Sequence, residues 1–227
     1  FFVNFLKKTG AKKFNPYKLI NSSYFLSSSP KGKWNPKKIL KNKNILIVGS
    51  GDSVQKNKNK IQNFVLKNNL FVICLNTTSS IEEKLVNLRV ACHPMRILSD
   101  IEFHKKTASK LVIPFSMMSK KIRNSITIKK SSILDYGMFL KYEDKINIKS
   151  NYCVLPYPLA VGYSLSVALA GNVKKIYFAG FDGYKIEDPD KDNTNQILEF
   201  FRKKYFKKKL PTLTNSNYRS SLRLFKN

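Results

Sequence analysis

The sequence predicts an α/β domain of three layers, with helices covering both faces of a mostly parallel β-sheet. Short apolar segments and stretches with helical periodicity alternate along the chain from residue 44 onward. Most of the short segments are apolar along their whole length, which is typical of strands buried on both faces of a parallel sheet. A chain of 227 residues is long enough to form one such domain around a full core.

The predicted strands are runs of β-branched, aliphatic and aromatic residues, each bounded by glycine or polar residues. In chain order they are Ile45–Val48, Leu70–Leu75, Leu88–Cys92, Leu111–Phe115 and Lys175–Ala179. The predicted helices have apolar residues three and four positions apart, as Ile61, Phe64 and Val65 are in the first of them. They are Asn57–Lys67, Ile97–Ser109, Ala160–Ala170 and Asn195–Lys207. The region between Phe115 and Asn151 has no clear periodicity.

Residues 1–43 differ in composition from the rest of the chain. They combine FFVNFLKKTGAKKF with SSSPKGKWNPKK, a stretch rich in serine, proline and lysine. Such a composition predicts an extended basic arm or linker, so we expect the Rossmann-like domain to span residues 44–227. Because the chain does not begin with Met, we expect it to be part of a longer protein.

The net charge is strongly positive, with 42 Lys and Arg against 14 Asp and Glu, which gives +28. Nucleic acid, an anionic membrane surface or a phosphorylated substrate would each suit that charge. Lys, Asn and Ile are enriched together, however, as base composition alone would produce. The run RKKYFKKK, residues 202–209, also fits the solvated face of a helix. We expect a peripheral contact with an anionic membrane and no nucleic-acid partner.

Cysteine content and hydropathy indicate the compartment. The three cysteines lie far apart without a C-x-x-C pattern, so a disulfide framework is not predicted and a reducing, cytoplasmic environment fits. One window, Tyr152 to Gly171, is uncharged over its whole length. Its prolines, serines and glycines favour a strand followed by a buried helix over a transmembrane span.

Glycines and small polar residues follow the predicted strands and indicate a binding site. The sequences are GSGDS after the first strand, NTTSS after the second, HPMR after the third and GFDGY after the last. Ligands of open parallel sheets bind at the carboxyl ends of the strands. The expected nucleotide contacts are Gly49, Ser50, Gly51, Asp52, Ser53, Asn76, Thr77 and Asp182. The alternatives are a tight turn with Ser53 capping the next helix, and an Asp-Gly turn at the last strand.

The same residues argue against several cofactors. Val54 stands where the dinucleotide fingerprint has its third glycine, and Asn76 stands where an NAD site has a carboxylate. No G-x-x-x-x-G-K-[ST] motif is present. The stretch from Asp188 to Glu199 has carboxylates at calcium-loop spacing, but Asn193 replaces its glycine, which favours helix capping. We therefore expect no cofactor and no metal.

His93 and Arg96 are the candidates for acid–base chemistry and phosphate neutralisation at the third strand. Neighbours in a strand point to opposite faces, so Cys92 and His93 are not expected to form a dyad. The alternative for His93 is a structural hydrogen bond.

ILIVGSGDS, FVICLNTT and YSLSVALAGNVKKIYFAGFDGY together resemble bacterial sialyltransferases of the small, Rossmann-like, metal-independent type. They also resemble the wider 6-hydroxymethylpterin pyrophosphokinase-like group. ACHPMR and GFDGY are similar to a domain found behind aldolases of the 4-hydroxy-2-oxovalerate type. The first resemblance implies that Gly49–Ser53 and Asn76 hold the nucleotide and that the helix start near Gly162 lies by the phosphate.

The resemblance further implies an inverting transfer from a CMP-sugar to a saccharide acceptor in surface polysaccharide synthesis. Tyr157 and Tyr163 would offset charge on the leaving phosphate, and His93 would take the proton of the acceptor. The histidine that such enzymes carry shortly before the Gly162 helix is absent from INIKSNYCVLPYP. A non-catalytic nucleotide- or sugar-binding module associated with an aldolase is the alternative.

Overall fold

The computed structural model describes residues 31–141, 146–183, 190–205 and 223–226, and it confirms the predicted three-layer α/β fold. The described strands are β1 Asn44–Val48, β2 Phe71–Leu75, β3 Val86–Val90, β4 Lys110–Ile113, β5 Ile133–Asp135, β6 Gly137–Leu140, β7 Asn147–Ile148, β8 Tyr152–Leu155, β9 Lys175–Ala179 and β10 Arg223–Lys226. The main sheet has the order β10-β9-β1-β2-β3-β4-β5. Six of its strands are parallel, and β10 pairs antiparallel with β9 at the edge.

A second, three-stranded sheet has the order β6-β8-β7, with β6 parallel and β7 antiparallel to β8. It is formed mainly by the region for which the sequence predicts no element. The sequence Tyr152–Gly171 forms β8 and a helix, as predicted. Among the described residues no helix has the length and hydropathy that a membrane span requires.

Helices pack on both faces of the main sheet. The described helices are α1 Lys37–Leu40, α2 Asp52–Lys56, α3 Lys58–Lys67, α4 Pro94–Ser99, α5 Ile101–Lys106, α6 Lys120–Ser125, α7 Ala160–Ala170 and α8 Asp190–Tyr205. One face is covered by α7, α8 and the second sheet, and the other by helices that include α3. The helices that connect β1 to β5 would by themselves cover only one face of the main sheet. The helices α7 and α8 cover the other face and form the third layer.

The alternation of side chains in β1 joins the two cores. Ile45 and Ile47 pack in the cluster that contains α7, whereas Leu46 and Val48 pack against α3. All four side chains are fully buried. Burial of an aliphatic side chain of this size stabilises the fold by about 1.5–3 kcal/mol, so the first predicted strand is central to both layers.

The prediction of one helix over Ile97–Ser109 is wrong. The chain forms α4 and α5, which meet at Asp100, and leaves the helical conformation at Thr107. Pro94 occupies the first helical position and starts the helix earlier than its apolar spacing indicates. The other predicted boundaries differ from the observed ones by a few residues, and the end of the last predicted helix lies outside the described residues.

The described part of the predicted basic arm packs onto the domain. Trp34 and Leu40 are buried in the main core, and α1 ends at Leu40. The backbone N–H groups of Lys33 and Trp34 both donate to the carbonyl of Asp135 at 2.9 Å. Residues 31–43 are therefore integrated with the sheet, while residues 1–30 lie outside the described residues.

Candidate functional site

The candidate site lies at the carboxyl edge of the main sheet, where β9 and β1 are neighbours. From β1 the chain adds β2, β3, β4 and β5 in one direction, and β9 then returns to the other side of β1. The strand order thus reverses between β1 and β9, with Val48 paired to Ala179 at their carboxyl ends. In open α/β sheets this reversal opens the crevice in which ligands bind.

Three glycines let the loops after β1 and β9 pack directly on each other. The N–H groups of Gly49 and Gly51 donate to the carbonyls of Ala179 and Gly180 at 2.9 and 3.0 Å. A Cβ atom on Gly49 would lie 2.6 Å from the Gly180 oxygen, and Gly180 itself has a positive φ of 74°. The glycines after β1 are therefore required for contact between the two loops.

The Asp182 carboxylate occupies the start of α2. Its Oδ2 accepts a hydrogen bond from the Ser53 N–H at 2.7 Å, and its Oδ1 accepts one from the Ser53 hydroxyl. A Cβ atom on Gly51 would lie 2.6 Å from the Asp182 carboxyl carbon. The Ser53 N–H, which a ligand phosphate would otherwise use, is thus already paired with an anion of the protein. Ser50 and Asp52, the other polar residues of this loop, are exposed.

Replacing Asp182 with alanine is expected to lower the free energy of unfolding by about 1–2 kcal/mol, because it removes two charge-assisted hydrogen bonds from a helix start. Urea denaturation measures the change. Asp52→Ala is the matched control, since Asp52 is an exposed carboxylate in the first turn of the same helix. Its expected effect is below about 0.5 kcal/mol. Equal losses in the two variants would show that Asp182 contributes only its charge.

Asn76 and Thr77 follow β2 at the same edge of the sheet. The Asn76 N–H donates to the carbonyl of Val90 at 2.9 Å, and Asn76 has a positive φ of 50°. Asparagine tolerates this conformation better than most residues, so the turn suits the sequence. Both residues are half-buried and lie between the β1 loop and the end of β3.

Arg89, which the sequence analysis does not select, fixes the Asn76–Thr78 turn. Its side chain is 1% exposed, and its Nη1 donates to the carbonyls of Asn76 and Thr78 at 3.3 and 2.8 Å. Its Nη2 pairs with the Glu83 carboxylate, and the guanidinium lies 4.7 Å from the centre of the Phe103 ring. The only indication in the sequence is a charged residue inside the strand VNLRV.

The Glu83 carboxylate is held from two sides. Ser109 donates to its Oε1 at 2.7 Å, and Arg89 pairs with its Oε2. Burial raises the pKa of this carboxyl, but the hydrogen bonds from Arg89 and Ser109 together lower it by more than burial raises it. The net pKa therefore lies below its ordinary value of 4.5. Glu83 is therefore ionised at neutral pH and supplies the counter-charge for the buried guanidinium.

His93 and Arg96 lie where β3 ends. His93 is half-buried at the N-cap of α4, and its carbonyl accepts a hydrogen bond from the Ile97 N–H at 3.0 Å. The Arg96 side chain is 55% exposed, with its Nε 2.7 Å from Asp100 Oδ2. His93 thus lies at the same edge as the glycine loops. The Arg96 guanidinium faces solvent, and the Asp100 carboxylate one helical turn away is its partner.

Cys92 is a buried structural residue beside His93. Its Sγ donates to the carbonyl of Pro158 at 3.3 Å, which holds the loop before α7 against the end of β3. Burial raises the pKa of the Cys92 thiol far above its ordinary range, so it is not a nucleophile at neutral pH.

The structure separates Tyr163 and Gly162 from the surface of the carboxyl edge. Tyr163 is fully buried and its hydroxyl donates to the carbonyl of Tyr136, while burial raises its pKa well above 10. A Cβ atom on Gly162 would lie 2.3 Å from Cδ1 of Ile197, so this glycine permits close packing of α7 and α8. The Tyr157 hydroxyl lies 2.5 Å from the Gln196 side chain and is mostly buried.

The sheet order, the helices on both faces and the polar loops at the strand reversal define a Rossmann-like α/β protein. Comparison of the chain with protein-family models, curated proteins and solved structures gives no match.

Proposed function

We propose that this protein binds a nucleotide-activated sugar at the carboxyl edge of the main sheet and transfers the sugar to a saccharide acceptor. The observation that carries the proposal is that four neighbouring strands, which include the two at the reversal point, end on one edge with Gly49–Ser53, Asn76, His93 and Asp182. A CMP-linked donor follows from the resemblance to small sialyltransferases, as does the place in surface polysaccharide synthesis.

The pairing of Asp182 with Ser53 supports one orientation of the nucleotide. A carboxylate at the β1–β9 crevice repels phosphate and accepts hydrogen bonds, so the ribose hydroxyls or base amino group lie there. The phosphate is then directed along the edge toward His93 and Arg96, which follow β3, and the Arg96 side chain is exposed. Asn76 and Thr77 lie between these two regions and contact the nucleotide.

In the proposed reaction His93 takes the proton of an acceptor hydroxyl. The acceptor oxygen forms a bond to the anomeric carbon from the face opposite the leaving group, which inverts the configuration. The bond from that carbon to the phosphate oxygen breaks, and the nucleotide leaves with the electron pair. The Arg96 guanidinium offsets the charge that develops on the phosphate, and the reaction needs no metal.

The second candidate is a module that binds the nucleotide or sugar without catalysis. Two observations favour it: Tyr163 is locked in the core, and Tyr157 is mostly buried with its hydroxyl bonded to Gln196. Of the four predicted catalytic residues, these two are the least available to a ligand phosphate. The aldolase-associated domain named above is the form in which such a module would occur.

A thermal-shift panel of CMP, UDP, ADP and NAD, each with and without Mg²⁺, tests the binding. CMP at a hundred times its dissociation constant is expected to stabilise the protein by about 2.7 kcal/mol, independently of Mg²⁺. His93→Ala is expected to keep this stabilisation and to lose transfer or hydrolysis of a CMP-sugar by about 10²–10⁴-fold.

Met95→Ala is the control, because Met95 is an exposed neighbour in α4. Stabilisation by CMP without any turnover would favour the binding module. The absence of a response to every nucleotide would overturn both candidates.

A further inference from the structure

The lysines that flank the parallel strands of the main sheet lie at one of its two edges. Each of the six parallel strands is preceded within five residues by a lysine, and none is followed within five residues by a lysine or arginine. Because the strands are parallel, all the preceding segments lie at the amino edge, opposite the candidate site. A lysine-rich composition by itself would place lysines at both edges equally.

The amino edge carries at least one exposed lysine before each strand, and the lysines nearest to the six strands form a row. In sheet order from β9 to β5 they are Lys174, Lys43, Lys67, Lys84, Lys106 and Lys130. Strands lie about 4.8 Å apart, so six of them span about 24 Å. We call this row of residues the lysine edge.

Local interactions explain the positions of only some of the lysines in this row. Lys67 and Lys106 lie in the last turns of α3 and α5, where a cation interacts favourably with the helix dipole. Lys84 pairs with Glu82 at 2.7 Å. Lys130 and Lys174 are exposed in connecting segments without a described acidic partner, and Lys43 lies 4.6 Å from the centre of the Phe71 ring.

An exposed leucine lies at the same edge. Leu66, at the end of α3 beside Lys67, is 64% exposed and is the more exposed of the two large hydrophobic residues that are exposed among the described residues. All the basic residues in the segments before the strands are lysines. Nucleic-acid sites favour arginine for its paired contacts with phosphate, whereas lysines around an exposed apolar side chain suit the surface of an anionic bilayer.

We infer that the lysine edge docks on a membrane surface of anionic phospholipids, with Leu66 inserting among the head groups. In this orientation the carboxyl edge, with Asp182 and His93, faces away from the membrane. The contact is independent of the proposed function, since none of the residues of the lysine edge belongs to the candidate site.

The test is cosedimentation of the full chain with vesicles of phosphatidylcholine alone and of equal parts phosphatidylcholine and phosphatidylserine. The triple variant Lys67→Gln, Lys130→Gln, Lys174→Gln is compared with the control Lys56→Gln, Lys60→Gln, Lys120→Gln. Both variants remove three charges from exposed lysines, but the control positions lie in helices that follow the carboxyl edge. Circular dichroism shows that each variant is folded.

The lysine-edge variant is expected to bind the anionic vesicles on the order of 100-fold more weakly, and the control variant less than tenfold. Leu66→Gln is expected to weaken vesicle binding about tenfold at every salt concentration, whereas Met95→Gln, which changes the other exposed hydrophobic residue, has no effect. Equal losses in the two triple variants would overturn the inference. Tighter binding of a DNA or RNA duplex than of vesicles, with the same dependence on the lysine edge, would also overturn it.

Discussion

Glu83→Gln is expected to lower the free energy of unfolding by about 3 kcal/mol at neutral pH. The substitution keeps the shape of the side chain but leaves the Arg89 guanidinium, which is 1% exposed, without a counter-charge. Removing one partner of a buried ion pair costs more than the pair contributes, because the remaining charge stays desolvated. The Gln amide oxygen can still accept from the guanidinium while its NH2 group donates to the Ser109 hydroxyl, so the expected loss comes from the missing negative charge.

The double-mutant cycle with Arg89→Met separates this explanation from a loss of packing. Arg89→Met is expected to cost about 2 kcal/mol, since the carbonyls of Asn76 and Thr78 lose their donor. The double variant is expected to be no less stable than Arg89→Met alone, because no buried charge remains. Urea denaturation at neutral pH gives each value.

Glu82→Gln is the matched control for this cycle. Glu82 precedes Glu83 and pairs with Lys84, an exposed side chain, so its loss is expected to leave stability nearly unchanged. Additive effects in the cycle would contradict the explanation, because they would mean that Arg89 and Glu83 stabilise the protein independently.

Patterns within one segment of the sequence predict most of the fold. The bounds of α7 and β9 are predicted to the residue because an uncharged helical stretch ends at Gly171 and the apolar run IYFA follows Lys175. Of the second sheet, only β8 is predicted, as the strand that precedes the buried helix. β7 has two residues and β6 has four, which is too short for an alternating or continuous apolar pattern to stand out.

The candidate site is predicted less completely than the fold, since it depends on contacts between distant residues. The sequence indicates that Ser53 and Asp182 lie at the same edge, because both follow strands of a parallel sheet. It does not indicate that they bond each other across 129 residues and so take up the N–H that a phosphate would use. For Tyr163 the sequence suggests a site residue that the structure does not place there. Its position at a helix start suggests a contact with the ligand, but its side chain is buried in the core.

Arg89 is the clearest case of a residue that only the folded chain explains. Its partners are two carbonyls after β2, a carboxylate before β3 and an aromatic ring in α5. No spacing along the chain connects these groups. A buried arginine in a strand indicates that partners exist, but the sequence cannot say that they are the backbone of the turn at Asn76.

Acid is expected to destabilise the protein between pH 6.5 and pH 4 through His104. This side chain is 4% exposed, and neither ring nitrogen has a hydrogen-bond partner among the described residues. The pKa of His104 is lowered from 6.5 to about 4, and burial is the largest cause; the positive charges of Arg89 and Arg96 add to the decrease, while Asp100 and Glu83 oppose it.

The unfolded chain therefore binds a proton at His104 that the folded chain excludes. Stability is complete above pH 6.5 and is lost as the pH falls to 4, by at most about 3 kcal/mol for the whole interval.

His104→Leu is expected to remove this acid sensitivity and to leave stability at pH 7 unchanged or higher, because the imidazole contributes two unpaired polar atoms to the core. Urea denaturation of both proteins from pH 7.5 down to about pH 4.5 measures the difference in slope. The Glu83 carboxyl, whose pKa lies below 4.5, titrates outside that interval and contributes equally to both curves. Parallel curves for the variant and the parent would mean that His104 is already protonated or solvated in the folded protein. A large loss of stability at pH 7 would mean that its ring nitrogens have hydrogen-bond partners.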